Sequence, residues 1–325
     1  MRAIIPVAGI GTRLRPHTYT LPKVLVNVAG KPILGHILDA LVNHGITGIT
    51  IVTGYKGDLV EEYVQANYNL PCEFVAQDEL KGLGHAIWTA RETLDSEPVL
   101  IILGDTVFDV DLSVLSTLQF SSLGVKHVED PRRFGVVQTD GTFVTRLVEK
   151  PENPISTMAL VGLYYIHHPI ALRNALEKLI ADDIRTKGEY QLTDALQHMV
   201  DSGEKITTFQ VDGWHDCGKP ETLLETNRFL LNTRSSSAAP PGCVIVPPVH
   251  IDPSATVEHS VVGPNASISK GAVVRNSIVR DSIICDQATV SDIALDQSII
   301  GENASVTGRF ASINIGDASI VKLTQ

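Results

Sequence analysis

Two glycines and two cations near the N-terminus are the first residues whose types and spacing could do chemistry. Gly9-Ile10-Gly11-Thr12-Arg13 follows an apolar run that ends at Ala8, and Lys23 lies shortly beyond in Leu21-Pro22-Lys23. Glycine lets backbone N–H groups come close to a phosphate. Cations beside such a turn suit a polyphosphate. Neither familiar phosphate-binding fingerprint is complete. A dinucleotide turn would need a third glycine where Leu14 stands, and a P-loop would need Lys-Ser/Thr after its glycine, where Thr12-Arg13 stand. Without Arg13 and Lys23 the glycines would read as a simple turn, so the cations are what point to an anionic ligand.

The elements around this turn alternate in type. Ala3–Ala8 reads as a strand, Pro32–His44 as a helix with Ile33, Leu34, Ile37, Leu38, Leu41 and Val42 at helical spacing, and Ile46–Thr53 as a strand. Gly57–Asn67 reads as a helix, Glu73–Gln77 as a strand, Leu83–Leu94 as a helix and Pro98–Gly104 as a strand. Short connections between alternating strands and helices predict a mostly parallel sheet covered on both faces. Such sheets bind ligands beyond the carboxyl ends of their strands. Those ends are Ala8–Gly11, Gln77 and Gly104–Asp105.

The C-terminal part has a different composition. The chain has 2 Trp, 7 Tyr and 8 Phe, yet from Arg234 onward the only ring is Phe310. Cys243–Gln325 holds 24 Val and Ile against 2 Leu, a β-branched density that favours strand. Four segments repeat one pattern: Ile251–Val257, Val262–Ile268, Ile284–Val290 and Ile300–Val306. In each, an aliphatic recurs after six residues, with Ala two before the second. This predicts a hexapeptide β-solenoid, whose narrow prism takes aliphatics inside and Ala at a tight corner, with no room for rings. Ser235–Gly242 is small, polar and Pro-rich, as a linker is. The expected organisation is 1–233, a linker over 234–242, and 243–325.

With these residues assembled, the first 233 resemble the sugar-1-phosphate nucleotidylyltransferases. The resemblance begins with Gly9-x-Gly11-Thr12-Arg13-Leu14-x-Pro16 and Pro22-Lys23. It continues through Gln77 with Gly82-Leu83-Gly84-x-Ala86, then Leu103-Gly104-Asp105 and Asp130-Pro131-x-x-Phe134-Gly135. Glu149-Lys150-Pro151, Gly162-Leu163-Tyr164-Tyr165, Gly188–Asp194 and Trp214-His215-Asp216-Cys217-Gly218 complete the order. The glucose-1-phosphate thymidylyltransferases and their uridylyl relatives are the members it looks most like. The resemblance implies a Rossmann-like, mostly parallel nucleotidyltransferase sheet, followed in long members by a left-handed β-helix.

It also implies a reaction: a nucleoside triphosphate, dTTP or UTP, plus glucose 1-phosphate gives the nucleotide sugar and pyrophosphate. The sugar phosphate attacks the α-phosphorus in line, so catalysis rests on positioning and charge neutralisation. Asp105 and Asp216 would hold Mg2+. Arg13 and Lys23 would neutralise the triphosphate and the departing pyrophosphate. Ala8, Gly9, Gly11 and Thr12 would line the phosphates; Gln77, Gly82 and Leu83 would face the base. A Gln amide offers one donor and one acceptor side by side, which complements thymine or uracil. Gly135, Leu160, Gly162 and Trp214 would form the sugar side, with Glu149 accepting hydroxyl hydrogen bonds and Lys150 gripping the phosphate.

Composition sets the remaining expectations. The chain has 325 residues, enough for two domains, and a formal net charge of −11, which argues against nucleic-acid binding. No apolar stretch is long enough to span a bilayer, and the N-terminus has no charged-then-apolar leader pattern. Cys72, Cys217, Cys243 and Cys285 lie far apart, without a metal clamp or disulfide framework, which fits a reducing cytoplasm. His85, His127 and the His167-His168 pair read as helix or loop positions without chemistry, and Cys217 as a packing residue. The tail is expected to mediate homo-oligomerisation or regulation. Two other readings compete. One is mannose 1-phosphate with GTP, because Gly30–Leu34 resembles that branch as well. The other is a non-catalytic subunit, which typically loses the Arg, Lys or Asp positions that this chain retains.

Overall fold

In a computed structural model of the chain, residues 1–232 and 239–308 are described. Most of the segment read as a linker, and Phe310, lie outside them. The chain divides into two compact units, Met1–Thr226 and Asn227–Gln325. The division falls inside a helix, ahead of the Ser/Pro-rich run.

The first unit is an α/β sheet. Its strands open with β1 (Arg2–Pro6), a short pair β2 (Asn27–Val28) and β3 (Lys31–Pro32), β4 (Gly48–Thr53), β5 (Cys72–Ala76), β6 (Val99–Ile102) and β7 (Thr106–Asp109). They continue with β8 (Ser121–His127), β9 (Gly135–Asp140), β10 (Phe143–Glu149), β11 (Met158–Ile166), β12 (Ile206–Gln210) and β13 (Gly213–Asp216). The helices are α1 (Ile33–Asn43), α2 (Gly57–Asn67), α3 (Leu83–Thr89), α4 (Pro169–Ala181), α5 (Leu192–Asp201) and α6 (Pro220–Asn232).

The parallel core runs β6-β1-β4-β5. Of these, β1, β4 and β6 are buried on both faces, as the uninterrupted Ala3-Ile4-Ile5 and Ile49–Val52 runs require, while the edge strand β5 is partly exposed. Beyond β6 the sheet turns antiparallel through β11, which carries β8 and β9. The predicted alternation is therefore present in the N-terminal half, and one further parallel pair, β8 with β12, lies at the far side of the same sheet.

Two local departures matter for the site. The helix predicted over Leu83–Leu94 ends at Thr89 and continues as a 3-10 turn, Arg91–Thr93. The Thr89 hydroxyl donates to the Ala86 carbonyl at 2.7 Å, the local side-chain bonding that competes with helix propagation. Strand β11 carries a bulge between Leu160 and Tyr164, with Gly162 at φ +92°. The bulge turns this stretch of β11 into a wall of the cleft described below.

The second unit contains the predicted solenoid. Val244–Ile245, Val261–Val262, Ile278–Arg280 and Ala294–Asp296 form one four-stranded parallel sheet. Two more sheets begin at Val249–Ile251 and Thr256–Glu258 and repeat in the same manner, giving three faces of a left-handed β-helix. Val262, Ile268, Val274, Val279, Ile284 and Val290 are fully buried along its axis. The corner alanines Ala266 and Ala288 are equally buried. Several turns use Asn, Asp or Gln at positive φ, including Asn265, Asp281, Gln287 and Asn303, where short polar side chains tolerate the left-handed region best. Among the described residues no helix is long and apolar enough to cross a membrane.

Candidate active site

The carboxyl ends of β1, β5 and β6 open onto two adjoining cavities. The smaller, about 390 Å³, is lined by Ala8, Gly9, Lys23, Gln77, Gly82 and Leu83 among others. The larger, about 900 Å³, holds Arg13, Gly135, Glu149, Lys150, Trp214 and Asp216. Leu83, Leu103, Asp105 and Glu189 line both, so Asp105 stands at their junction.

The two predicted glycines do different work. A Cβ on Gly9 would meet nothing within 4 Å, so packing does not demand glycine there. The bare backbone instead leaves room for a ligand. Gly11 sits at φ +70°, and a Cβ on it would lie 2.8 Å from the Cβ of Lys23. It lets the loop fold against Lys23. Thr18 Oγ1 fixes this turn by donating to the Gly11 carbonyl at 2.9 Å. Gly11 and the exposed Thr12 line neither cavity, in contrast to the other predicted loop residues.

Lys23 is brought inward by its 3-10 turn, Lys23–Leu25, and is 7% exposed. Its Nζ donates to Asp105 Oδ2 at 2.7 Å. Burial works to raise the Asp105 carboxyl, but Lys23, the Thr106 hydroxyl and Arg13 outweigh it and hold it below the usual carboxylate range. The carboxylate is thus ionised at neutral pH. Asp216 closes β13, in register with Thr106 on β7, next to the turn that holds Asp105. A Cβ on Gly218 would come within 2.8 and 3.0 Å of the Asp216 carboxylate oxygens and 3.1 Å of an Arg13 nitrogen. Glycine there keeps Asp216 and Arg13 side by side. Two carboxylates lining one cavity, with room for phosphate oxygens, suit a hard divalent cation that keeps part of its water shell. No cluster of three or more protein ligands occurs among the described residues, so substrate oxygens would have to complete the set.

The sugar side is organised around Glu149, at the end of β10. Thr193 Oγ1 donates to Glu149 Oε2 at 2.6 Å, and Lys150 Nζ lies 3.2 Å from Oε1. The Glu149 side chain is 10% exposed, so this is not a freely solvated pair. A Cβ at Gly135 would crowd Glu149 Oε2 at 2.9 Å, which explains glycine there. Trp214 is held edge-on by Phe134, with centroids 4.9 Å apart. Leu160 and Gly162 line the cleft through the β11 bulge.

On the base side Gln77 is buried, and its amide is already engaged. Nε2 donates to the Gly82 carbonyl at 3.2 Å and lies 2.9 Å from His85 Nδ1. The donor expected to face the base is therefore spent within the protein. Gly82 is explained by backbone packing: φ is +108°, and a Cβ would lie 2.6 Å from the Tyr190 carbonyl oxygen.

The cavities also contain residues the sequence reading did not single out as site residues. Thr193 and Glu189 fall in the quoted Gly188–Asp194 run without a role assigned to them. Lys187 donates to the Lys150 carbonyl at 2.7 Å, and Lys219 projects from the start of α6. The Lys187 and Lys219 side chains had no distinguishing spacing signal. Cys217 is buried, and burial pushes its thiol up to about 12, which leaves no thiolate for nucleophilic work.

The chain is similar to known proteins over most of its length. The sequence model of the nucleotidyl transferase family matches residues 2–233. The chain is 31% identical to a glucose-1-phosphate thymidylyltransferase of Streptomyces griseus, over 94% of each chain. It is 35% identical to the UTP–glucose-1-phosphate uridylyltransferase AglF of Haloferax volcanii, over 71% of this chain and 96% of that one. A solved UDP-glucose pyrophosphorylase in complex with UDP-glucose superposes with a TM-score of 0.63 at 27% identity, over 72% of this chain and 99% of the other.

Proposed function

The chain belongs to the nucleotidyl transferase family, and on that footing we propose that it transfers a nucleotidyl group from dTTP or UTP to glucose 1-phosphate, releasing pyrophosphate. The observation that carries the reading is the meeting of two cavities at Asp105. One is lined by Gly9, Lys23 and Gln77, the other by Glu149, Lys150 and Trp214. A base and a sugar phosphate can occupy separate spaces while their phosphates converge on one ionised carboxylate.

In this reading Gly9 and its neighbours receive the triphosphate, and Arg13 and Lys23 offset its charge. Lys150 holds the sugar phosphate and Glu149 accepts from sugar hydroxyls. Asp105 and Asp216 would hold Mg2+, which when bound supplies neutralising charge at the α-phosphate. The phosphate oxygen of the sugar phosphate attacks the α-phosphorus, the bond to the bridging oxygen breaks, and pyrophosphate leaves. No protein nucleophile takes part. We further assign the solenoid a role in homo-oligomerisation.

A substrate panel tests the proposal. Four nucleoside triphosphates are combined with glucose, mannose, galactose and N-acetylglucosamine 1-phosphates, and pyrophosphate release is measured. The expected result is turnover with dTTP or UTP and glucose 1-phosphate. Preference for GTP with mannose 1-phosphate would overturn the substrate assignment. No release with any pair would overturn the catalytic one.

A further inference from the structure

The amide of Gln77 has a fixed orientation. The Gly82 carbonyl can only accept a hydrogen bond, so the side-chain nitrogen, not the oxygen, must face it. That nitrogen has two hydrogens. The second meets His85 Nδ1 at 2.9 Å, which must then be the unprotonated ring nitrogen, with the ring's own proton on Nε2. Both hydrogens are consumed, and Oε1 is the amide atom left for a ligand in the cavity that Gln77 lines.

We propose that His85 is a positioning residue for nucleotide selection: by accepting from Gln77 it locks the amide oxygen toward the base, so that the site selects pyrimidines whose ring N3 carries a hydrogen. This rests on the nucleotidyl-transfer reading above and deepens it. Thymine and uracil present N3–H, which the oxygen accepts. Cytosine presents an unprotonated N3, whose lone pair would face the oxygen's.

His85 is well held for this task. Its ring stacks on Tyr190 at 6.3 Å between centroids and lies 5.6 Å from Trp88 on its own helix. The charged and titratable groups around it are Glu79 and Lys81, from the segment before α3, and Tyr190, whose hydroxyl is tied to Asp183 and Arg185. Arg91 lies over the Trp88 ring. Burial and then Lys81 push the imidazole below its ordinary value, with Glu79 opposing, so it is neutral at physiological pH. Protonating it would set a ring N–H against the amide NH₂, two donors facing each other, and release the amide to turn over.

The test uses the full-length protein and three forms: wild type, His85→Leu, which removes the acceptor, and His85→Asn, whose side-chain oxygen restores one that does not titrate. Binding of UTP and of CTP is measured calorimetrically between pH 5.5 and 8.5. In parallel, the ¹⁵N-resolved Gln77 amide signals are followed without nucleotide. In wild type, preference for UTP over CTP should weaken as pH falls through the His85 titration. His85→Leu should lower that preference about tenfold at pH 8, the size of one lost hydrogen bond, and move the Gln77 amide signals. His85→Asn should restore both and abolish the pH dependence. The KM for the sugar phosphate should not change in any form. Gln77 signals or UTP preference unchanged in His85→Leu would overturn the inference. If wild type binds no nucleotide, the nucleotidyl-transfer reading fails, and the amide signals still decide whether His85 holds Gln77.

Discussion

Asp105 concentrates the site's electrostatics in one residue. Its carboxylate is half-buried, and it is ionised because Lys23, Thr106 and Arg13 act on it together. Asp105→Asn keeps the shape and removes the charge. Turnover should fall by at least about a hundredfold, while the melting midpoint stays within about 4 °C of wild type. Mg2+-dependent turnover near the wild-type rate would exclude the residue from charge neutralisation. Lys150→Ala addresses the other substrate. It should raise the KM for the sugar phosphate about tenfold and leave that for the nucleotide within about twofold, since the proposed contact is with one substrate only. The opposite ranking would place Lys150 on the nucleotide. At this scale the family resemblance singled out Asp105, Glu149 and Lys150, and the fold brings all three to the lining of one cavity. The sequence was blind where orientation decides. A Gln is a donor and an acceptor in any sequence, and only the positions of Gly82 and His85 reveal that the donor of Gln77 is spent.

Strand ends and turns put these side chains in place, and their glycines separate local need from ligand need. Gly9 faces open space, whereas Gly11 is bound by a positive φ and by Lys23. Gly9→Ala should therefore leave stability within about 0.5 kcal/mol and weaken nucleotide binding. Gly11→Ala should destabilise the fold by about 1–3 kcal/mol, because the left-handed backbone and the Lys23 contact both resist a Cβ. Chemical denaturation and nucleotide titration of the two variants check the contrast. Equal loss of stability in both would mean that Gly9 is also structural. The alternation of β1, α1, β4, α2 and β5 was legible because the helices bury one face at helical spacing, whereas β1 and β4 are continuous apolar runs buried on both faces. The bulge in β11 was not legible, because it depends on pairing with β8 rather than on any local pattern. The early end of α3 was hidden for a related reason: Thr89 bonds back to Ala86, which period alone does not show.

At the scale of the whole molecule, two kinds of core coexist in one chain. The sheet of the first unit is filled from β1, β6, β8, β11 and α3 to α5, with large side chains such as Tyr164, Tyr190 and Met199. The solenoid is filled by Val, Ile and Ala from successive turns, each touching only its neighbours. The aromatic shortfall was readable in the sequence because it follows from the width of that prism. All residues lining the two cavities belong to the first unit. A ligand that binds only there raises the stability of the unit that binds it, by mass action. Scanning calorimetry should then show two transitions, of which only one rises on adding nucleotide with Mg2+. Val279 is fully buried in the solenoid, in register with Val262 and Leu295. Val279→Ala should lower the other transition, by the few degrees that about 1–2.5 kcal/mol of lost packing produces, and leave the nucleotide-sensitive one and kcat unchanged. A single transition that moves as a whole under both perturbations would show instead that the two cores unfold as one cooperative body.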